Sequence, residues 1–290
     1  MIADPTSEQP LLSLRLSVDY LNKQGVLTDV ALEIRRGEVV GLVGESGSGK
    51  STMALAILRL LHLKGGRAQG QLLFGGEDLL QKSEGELRAI RGRRISVVLQ
   101  SPLTALNPAV RIGAQLREAW RAHAKGGNDV CEHAIHEALR SVRLPTEDSF
   151  LKRHPSQLSV GQGQRVIIAM AILHRPELLI ADEATSALDT ITQSEILKLF
   201  GRLNRELGTA ILYISHDLLS VATLCHRIAI LNAGTIIECG TPHAIFVSPR
   251  HEYTRSLIAA LPARPEGKVP PTPHDEPAEQ LAAVTTTFDK

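Results

Sequence analysis

Glycines, a lysine and a hydroxyl stand at phosphate-binding spacing in Gly44-Glu45-Ser46-Gly47-Ser48-Gly49-Lys50-Ser51, which fits G-x-x-x-x-G-K-[ST] at every fixed position. In such a loop successive backbone N–H groups turn inward on phosphate oxygens, and the following helix adds the positive end of its dipole. Gly44, Ser46, Gly47, Gly49 and Thr52 are therefore assigned to a nucleoside triphosphate cradle. Lys50 supplies a point charge for the β and γ phosphates. Ser51 offers a hydroxyl to Mg²⁺, a hard cation that takes oxygen ligands and bridges the same phosphates.

Two acids follow an apolar run in Leu178-Leu179-Ile180-Ala181-Asp182-Glu183. At the carboxyl end of a strand beside a phosphate loop, Asp182 can hold Mg²⁺ directly or through water, and Glu183 can orient or deprotonate the attacking water. Burying either acid for packing alone would cost on the order of several kcal/mol. Other positions stay open on the residues alone. Ser159, in Leu158-Ser159-Val160-Gly161-Gln162, is a good N-cap, and Gly161 permits close approach, which suits a helix cap or a second anion site. His216, after an apolar run at 210–215, suits a capping histidine or a hydrogen bond to a γ-phosphate. Tyr20 suits core packing or stacking on a purine.

The elements that carry these residues read as alternating strands and helices. Residues 11–20 and 30–34 have strand patterns, Val39–Val43 leads into the phosphate loop, and a helical run leaves it over 52–62, ended by Gly65-Gly66. A strand at 71–74 and another at 95–99, closed by Gln100, come next. Arg88, Arg91, Arg93 and Arg94 lie ahead of the second, where the aromatics of a nucleic-acid site are missing and a solvated face is expected. The prolines and Asn of Ser101-Pro102-Leu103-Thr104-Ala105-Leu106-Asn107-Pro108 exclude a regular helix and require a shaped loop. Helical patterns at 112–124, 130–142 and 159–173 form an insert between strands.

Composition sets the limits. The chain has 290 residues, 43% of them hydrophobic, ample for a packed core, and a formal charge of +1 that names no polyanionic partner. Cys131, Cys225 and Cys239 are odd in number and far apart, which argues against a disulfide framework or a zinc site and suits a reducing cytoplasm. No basic-then-apolar leader pattern is visible, and apolar runs such as 166–173 are too short to span a bilayer.

With Gly44 to Ser51, Gln100, Leu158 to Gln162, Asp182-Glu183, Ser186-Ala187-Leu188-Asp189 and His216 in this order, the chain resembles the nucleotide-binding subunit of ABC transporters over about residues 11–260. The resemblance implies an α/β fold: a P-loop NTPase core of the RecA-like kind, with an antiparallel β subdomain at its start and an inserted α-helical subdomain at about 101–175. It implies an ATPase domain over 1–260 and a proline-rich, disordered tail over 261–290. Two such subunits, identical or different, would close head to tail on two ATP molecules with Mg²⁺. It assigns Tyr20 to base stacking, Gln100 to Mg²⁺ and the attacking water, Ser159 and Gly161 to the partner's γ-phosphate, and Gln162 to nucleotide binding. Glu183 becomes general base, Asp189 communicates across the dimer, and His216 meets the γ-phosphate.

Within the family, Ser101 to Pro108 and His251-Glu252-Tyr253-Thr254-Arg255 are similar to the dipeptide, oligopeptide and nickel importer branch. That branch implies ATP-driven uptake at the cytoplasmic face of the inner membrane, with two transmembrane permease subunits, a solute-binding protein outside and no nucleic acid. The cargo would be a peptide or a nickel or other metal complex; a soluble multienzyme assembly like those of phosphonate degradation is the other expectation. Val160 stands where the family has glycine, but at a first helical position a β-branched residue costs only about half a kcal/mol, so a working signature is expected. Gly163 inside the same helix hints at close packing or flexibility. The tail lacks the cysteine cluster of some branch members, and no iron–sulfur cluster is expected.

Overall fold

The computed structural model describes residues 9–261. The strands are β1 (Leu12–Tyr20), β2 (Lys23–Ile34), β3 (Val39–Val43), β4 (Gly66–Phe74), β5 (Glu77–Asp78), β6 (Ile95–Val98), β7 (Leu178–Asp182), β8 (Ala210–Ser215), β9 (Arg227–Asn232) and β10 (Thr235–Gly240). The helices are α1 (Lys50–Ile57), α2 (Glu84–Ile90), α3 (Pro102–Ala105), α4 (Ile112–Arg121), α5 (Asn128–Ser141), α6 (Asp148–Leu151), α7 (Val160–Ile172), α8 (Thr190–Leu207), α9 (Leu218–Leu224), α10 (Pro242–Val247) and α11 (Glu252–Ala259). An antiparallel sheet runs β2-β1-β4-β5, and a second sheet runs β10-β9-β3-β8-β7-β6. In the second, β9 through β6 are parallel and β10 is antiparallel to β9.

The parallel strands read as unbroken apolar runs because both of their faces are covered. Alternate residues divide between two cores. Val39 and Val43, Leu179 and Ala181, and Ile211 and Tyr213 face the helices. Val40 and Leu42, Leu178 and Ile180, and Leu212 and Ile214 face α1 and the antiparallel sheet. The strand ends are thereby pinned, and β3, β7 and β8 deliver their carboxyl ends side by side. No helix among the described residues is long and apolar enough to cross a membrane.

The observed elements depart from the expected ones where backbone chemistry overrides pattern. Helix α1 starts at Lys50, inside the phosphate loop, and stops at Ile57; a 3₁₀ turn at Leu61–Lys64 follows, ended by left-handed Gly65. Strand β4 is nine residues long because β1 pairs with it from Leu12↔Phe74 to Tyr20↔Gly66. The loop after Gln100 contains one helical turn, α3, which corrects the exclusion of helix there. Pro102 sits at its first position, where a missing N–H costs nothing. Helices α3 to α7 fall between β6 and β7, which are neighbours in the sheet.

The arginine cluster is not simply a solvated face. Arg91 donates to the carbonyls of Leu58 and Arg59 and to Glu84, tying α2 to the end of α1. Arg94 lies over the Phe74 ring and pairs with Glu177 at 2.6 Å. Both are structural ties. The expected tail at 261–290 lies, but for Leu261, outside the described residues.

Candidate nucleotide-binding site

The loop between β3 and α1 owes its shape to glycine. Gly47 and Gly49 have φ of 84° and 111°, in the left-handed region that strains other residues, and Gly49 is the N-cap of α1. A Cβ on Gly44 would fall 2.1 Å from the Leu231 carbonyl oxygen, so the loop lies hard against β9. Lys50 folds back, its Nζ donating to Gly44 O at 2.8 Å and Glu45 O at 2.9 Å. Burial lowers the Lys50 pKa, while Glu183 and Asp182 act in the opposite direction. The Ser48 hydroxyl is buried with no hydrogen-bond partner among the described residues, and the space over Gly47 is open. The Lys50 ammonium, the Ser51 hydroxyl and the backbone of Ser46, Gly47 and Gly49 around open space fit a polyphosphate.

Facing the loop, β7 ends in Asp182, whose Oδ1 accepts from Ser51 Oγ at 3.4 Å. Burial raises the Asp182 pKa and neighbouring Glu183 adds to the rise, with Ser51 and Lys50 opposing. Glu183 follows at φ 49°, held by its N–H to Ile214 O at 2.9 Å. A left-handed non-glycine residue costs roughly 1–2 kcal/mol, and such strain concentrates where a side chain must be aimed. His216 Nδ1 lies 3.5 Å from Glu183 Oε1. On the other side Gln100 Nε2 donates to Ser186 Oγ at 3.0 Å, which in turn donates to Glu183 O at 3.0 Å. Glu183 is thus fixed through its backbone by Ile214 and Ser186, and His216 approaches its carboxylate.

The cleft between loop and acids has a volume of about 340 Å³. Ser46, Gly47, Gly49, Lys50, Ser51 and Thr52 form one wall. Gln100, Asp182 and Glu183 form the other, with Val26 at the end. Val26 was not foreseen; it follows the polar stretch Asn22-Lys23-Gln24-Gly25, and nothing in the pattern separates it from apolar Leu27 beside it. Tyr20 stands at the rim, its hydroxyl 3.4 Å from Thr52 Oγ1 and its ring so close to Gly66 that a Cβ there would meet Tyr20 Cε1 at 2.8 Å.

The signature residues gather elsewhere. Ser159 and Gln162 form a reciprocal capping box at the start of α7. Val160 takes the first helical position with its side chain outward, 47% exposed, so the β-branched residue meets no backbone conflict. Asp189 caps α8, accepting from Ile191 N and Thr192 N at 3.0 Å and from Thr192 Oγ1 at 2.7 Å. Thr192 joins the two caps, for a Cβ on Gly161 would lie 2.9 Å from its Cγ2. Gly163 is a packing glycine, where a Cβ would meet Pro102 Cβ at 3.0 Å. Ser159, Gly161, Gln162 and Asp189 do not line the cleft.

The raised Asp182 pKa gives a stability test. The folded protein binds this proton more tightly than the unfolded chain, so the contribution is full below the ordinary value of 3.8 and is lost as pH rises through the folded pKa. Asp182→Asn is therefore expected to raise the Tm of nucleotide-free protein at neutral pH, with the gain shrinking as buffer approaches about pH 4. A Tm difference that ignores pH would contradict it.

A phosphate loop between a parallel strand and a helix, facing acids at the end of a neighbouring strand, defines a P-loop nucleoside triphosphatase. The family described as ABC transporter matches residues 27–186, and the chain belongs to that family: it is an ATP-binding and ATP-hydrolysing cassette. The dipeptide transport ATP-binding protein DppD of Escherichia coli K12 is 43% identical over 80% of this chain and 71% of its own length. The oligopeptide transport ATP-binding protein OppD of Bacillus subtilis 168 is 39% identical over 84% of this chain and 68% of its own. Among solved structures, the dimeric ATP-binding cassette MJ0796 with ADP and Pi superposes with a TM-score of 0.68 at 29% identity, covering 79% of this chain and 98% of that one. Cassettes of this family act as dimers with transmembrane permease subunits.

Proposed function

We propose that this chain powers import of peptides, or of a closely related solute, from the cytoplasmic face of the inner membrane. Two permease subunits would carry the solute and a binding protein outside would deliver it. Relatives named for dipeptide and oligopeptide transport, each matched over more than two thirds of its length, support the cargo class.

The observation that carries the mechanism is the division of the anion-binding groups between two surfaces. Lys50, Ser51, Gly47 and Gly49 line the cleft, whereas Ser159 and Gly161 open α7 outside it. A signature that does not line its own cleft suits a second cassette's nucleotide, so ATP closes a head-to-tail dimer, homodimer or heterodimer. Glu183 then serves as general base and His216 as the γ-phosphate donor and Glu183's partner. Tyr20 and Val26 flank the base, Gln100 links the γ-phosphate to the loop of α3, and Asp189 links the two signatures.

Mg²⁺ fits the hard oxygens of Ser51 and Asp182, with Gln100 nearby, and when bound it would neutralise phosphate charge. The raised Asp182 pKa supports that role, since a buried carboxylate beside another acid gains from a cation. The test is uptake: inactivating this chain in its own cells is expected to abolish accumulation of labelled di- and oligopeptides. Peptide uptake left intact, with nickel uptake or a soluble enzyme activity lost instead, would overturn the peptide assignment.

A further inference from the structure

One contact of the phosphate loop comes from the far end of the described chain. The Glu45 N–H donates to the Tyr253 hydroxyl at 3.2 Å, joining the loop to α11 across 208 positions. The carbonyl of the same Gly44–Glu45 peptide unit accepts from Lys50 Nζ at 2.8 Å. That peptide is gripped at both ends: rotating it would break both bonds and re-aim the carbonyl on which the ammonium rests.

Tyr253 is itself fixed. Glu238 on β10 accepts from the Arg250 and His251 N–H groups at 2.8 and 3.1 Å. His251 is the N-cap of α11, its Nδ1 accepting from Tyr253 N at 3.1 Å. The Tyr253 side chain is half-buried and packs against the helix-side core. A continuous chain of hydrogen bonds therefore runs from β10 through the first turn of α11 to the second residue of the phosphate loop.

We infer that Tyr253 is a positioning residue for the phosphate loop: its hydroxyl fixes the Gly44–Glu45 peptide and the resting place of Lys50, and Glu238 sets Tyr253 through the His251 cap. The inference rests on the cleft being the ATP site. Lys50 has to leave Gly44 O to serve a phosphate. Of the two ties on that peptide, the Tyr253 hydrogen bond is then the one that holds the loop in its binding shape.

The test is Tyr253→Phe in the full chain, which removes the hydroxyl and keeps the ring. One neutral hydrogen bond corresponds to roughly a threefold to tenfold rise in KM for ATP, with kcat within about twofold of the parent. Hydrogen exchange at the Glu45 amide is expected to quicken severalfold. Glu238→Gln is expected to shift KM in the same direction by less, and to add little on top of Tyr253→Phe, because the two act through one path. A lowered Tm with unchanged KM and unchanged Glu45 exchange would reduce Tyr253 to a packing residue and overturn the inference. The exchange readout needs no nucleotide, so an error about the ATP site and an error about this contact give different results.

Discussion

Replacing Glu183 with glutamine is expected to lower ATP turnover by about two to four orders of magnitude, the range for losing a positioned general base, while ATP still binds. Glutamine keeps the length and shape of the side chain, so the approach of His216 and the backbone bond to Ile214 survive. What is lost is the ability to take a proton from water. The backbone argues for the same role. Glu183 is held at φ 49° at the end of β7, a strained place for a side chain whose only use is solubility; Ser186, itself bonded by Gln100, holds its carbonyl and His216 approaches its carboxylate. Phosphate release and fluorescent-nucleotide titration on the same preparation separate the two effects. Turnover close to the parent's would remove Glu183 as the base.

Lys50→Ala has the second large effect, and it falls on binding. The ammonium is buried against two loop carbonyls, and burial has already lowered its pKa, so it is poorly solvated and gains when phosphate oxygens replace those carbonyls. Charge-assisted hydrogen bonds of this kind contribute about 1.5–3 kcal/mol, or roughly tenfold to a hundredfold in ATP affinity. The fold is expected to survive, because Gly47 and Gly49 set the turns of the loop and Nζ ties it to the Gly44 and Glu45 carbonyls alone. Titration calorimetry with ATP, paired with a melting curve, reads both. Normal affinity in a folded variant would contradict the cradle.

Much of this site was legible in the sequence because its chemistry is local. Gly44 to Ser51 carry their own turn geometry, Ser159 and Gln162 cap one another three residues apart, and Asp182-Glu183 end an apolar strand. Strands β3 and β8 were read to the residue, since a strand buried on both faces leaves an uninterrupted apolar run. What escaped depends on pairing and distance. The first half of β4, Gly-Arg-Ala-Gln-Gly, has no strand pattern of its own and is extended because β1 holds it. Arg91 and Arg94 looked like surface charge because their partners, the Leu58 carbonyl and Glu177, are remote in sequence. The one-turn α3 was hidden because Pro102 argues against helix everywhere except at a first position. Gly163 could be assigned to packing only once Pro102 was seen beside it.

An ATPase that drives membrane-embedded permeases stays attached to them, so the decisive experiment isolates the full chain carrying Glu183→Gln from its native membranes in mild detergent with Mg-ATP. Mass spectrometry then identifies what remains bound. Two polytopic membrane proteins are expected, with this chain or a sibling cassette completing the dimer. Soluble enzymes alone would contradict attachment to permeases.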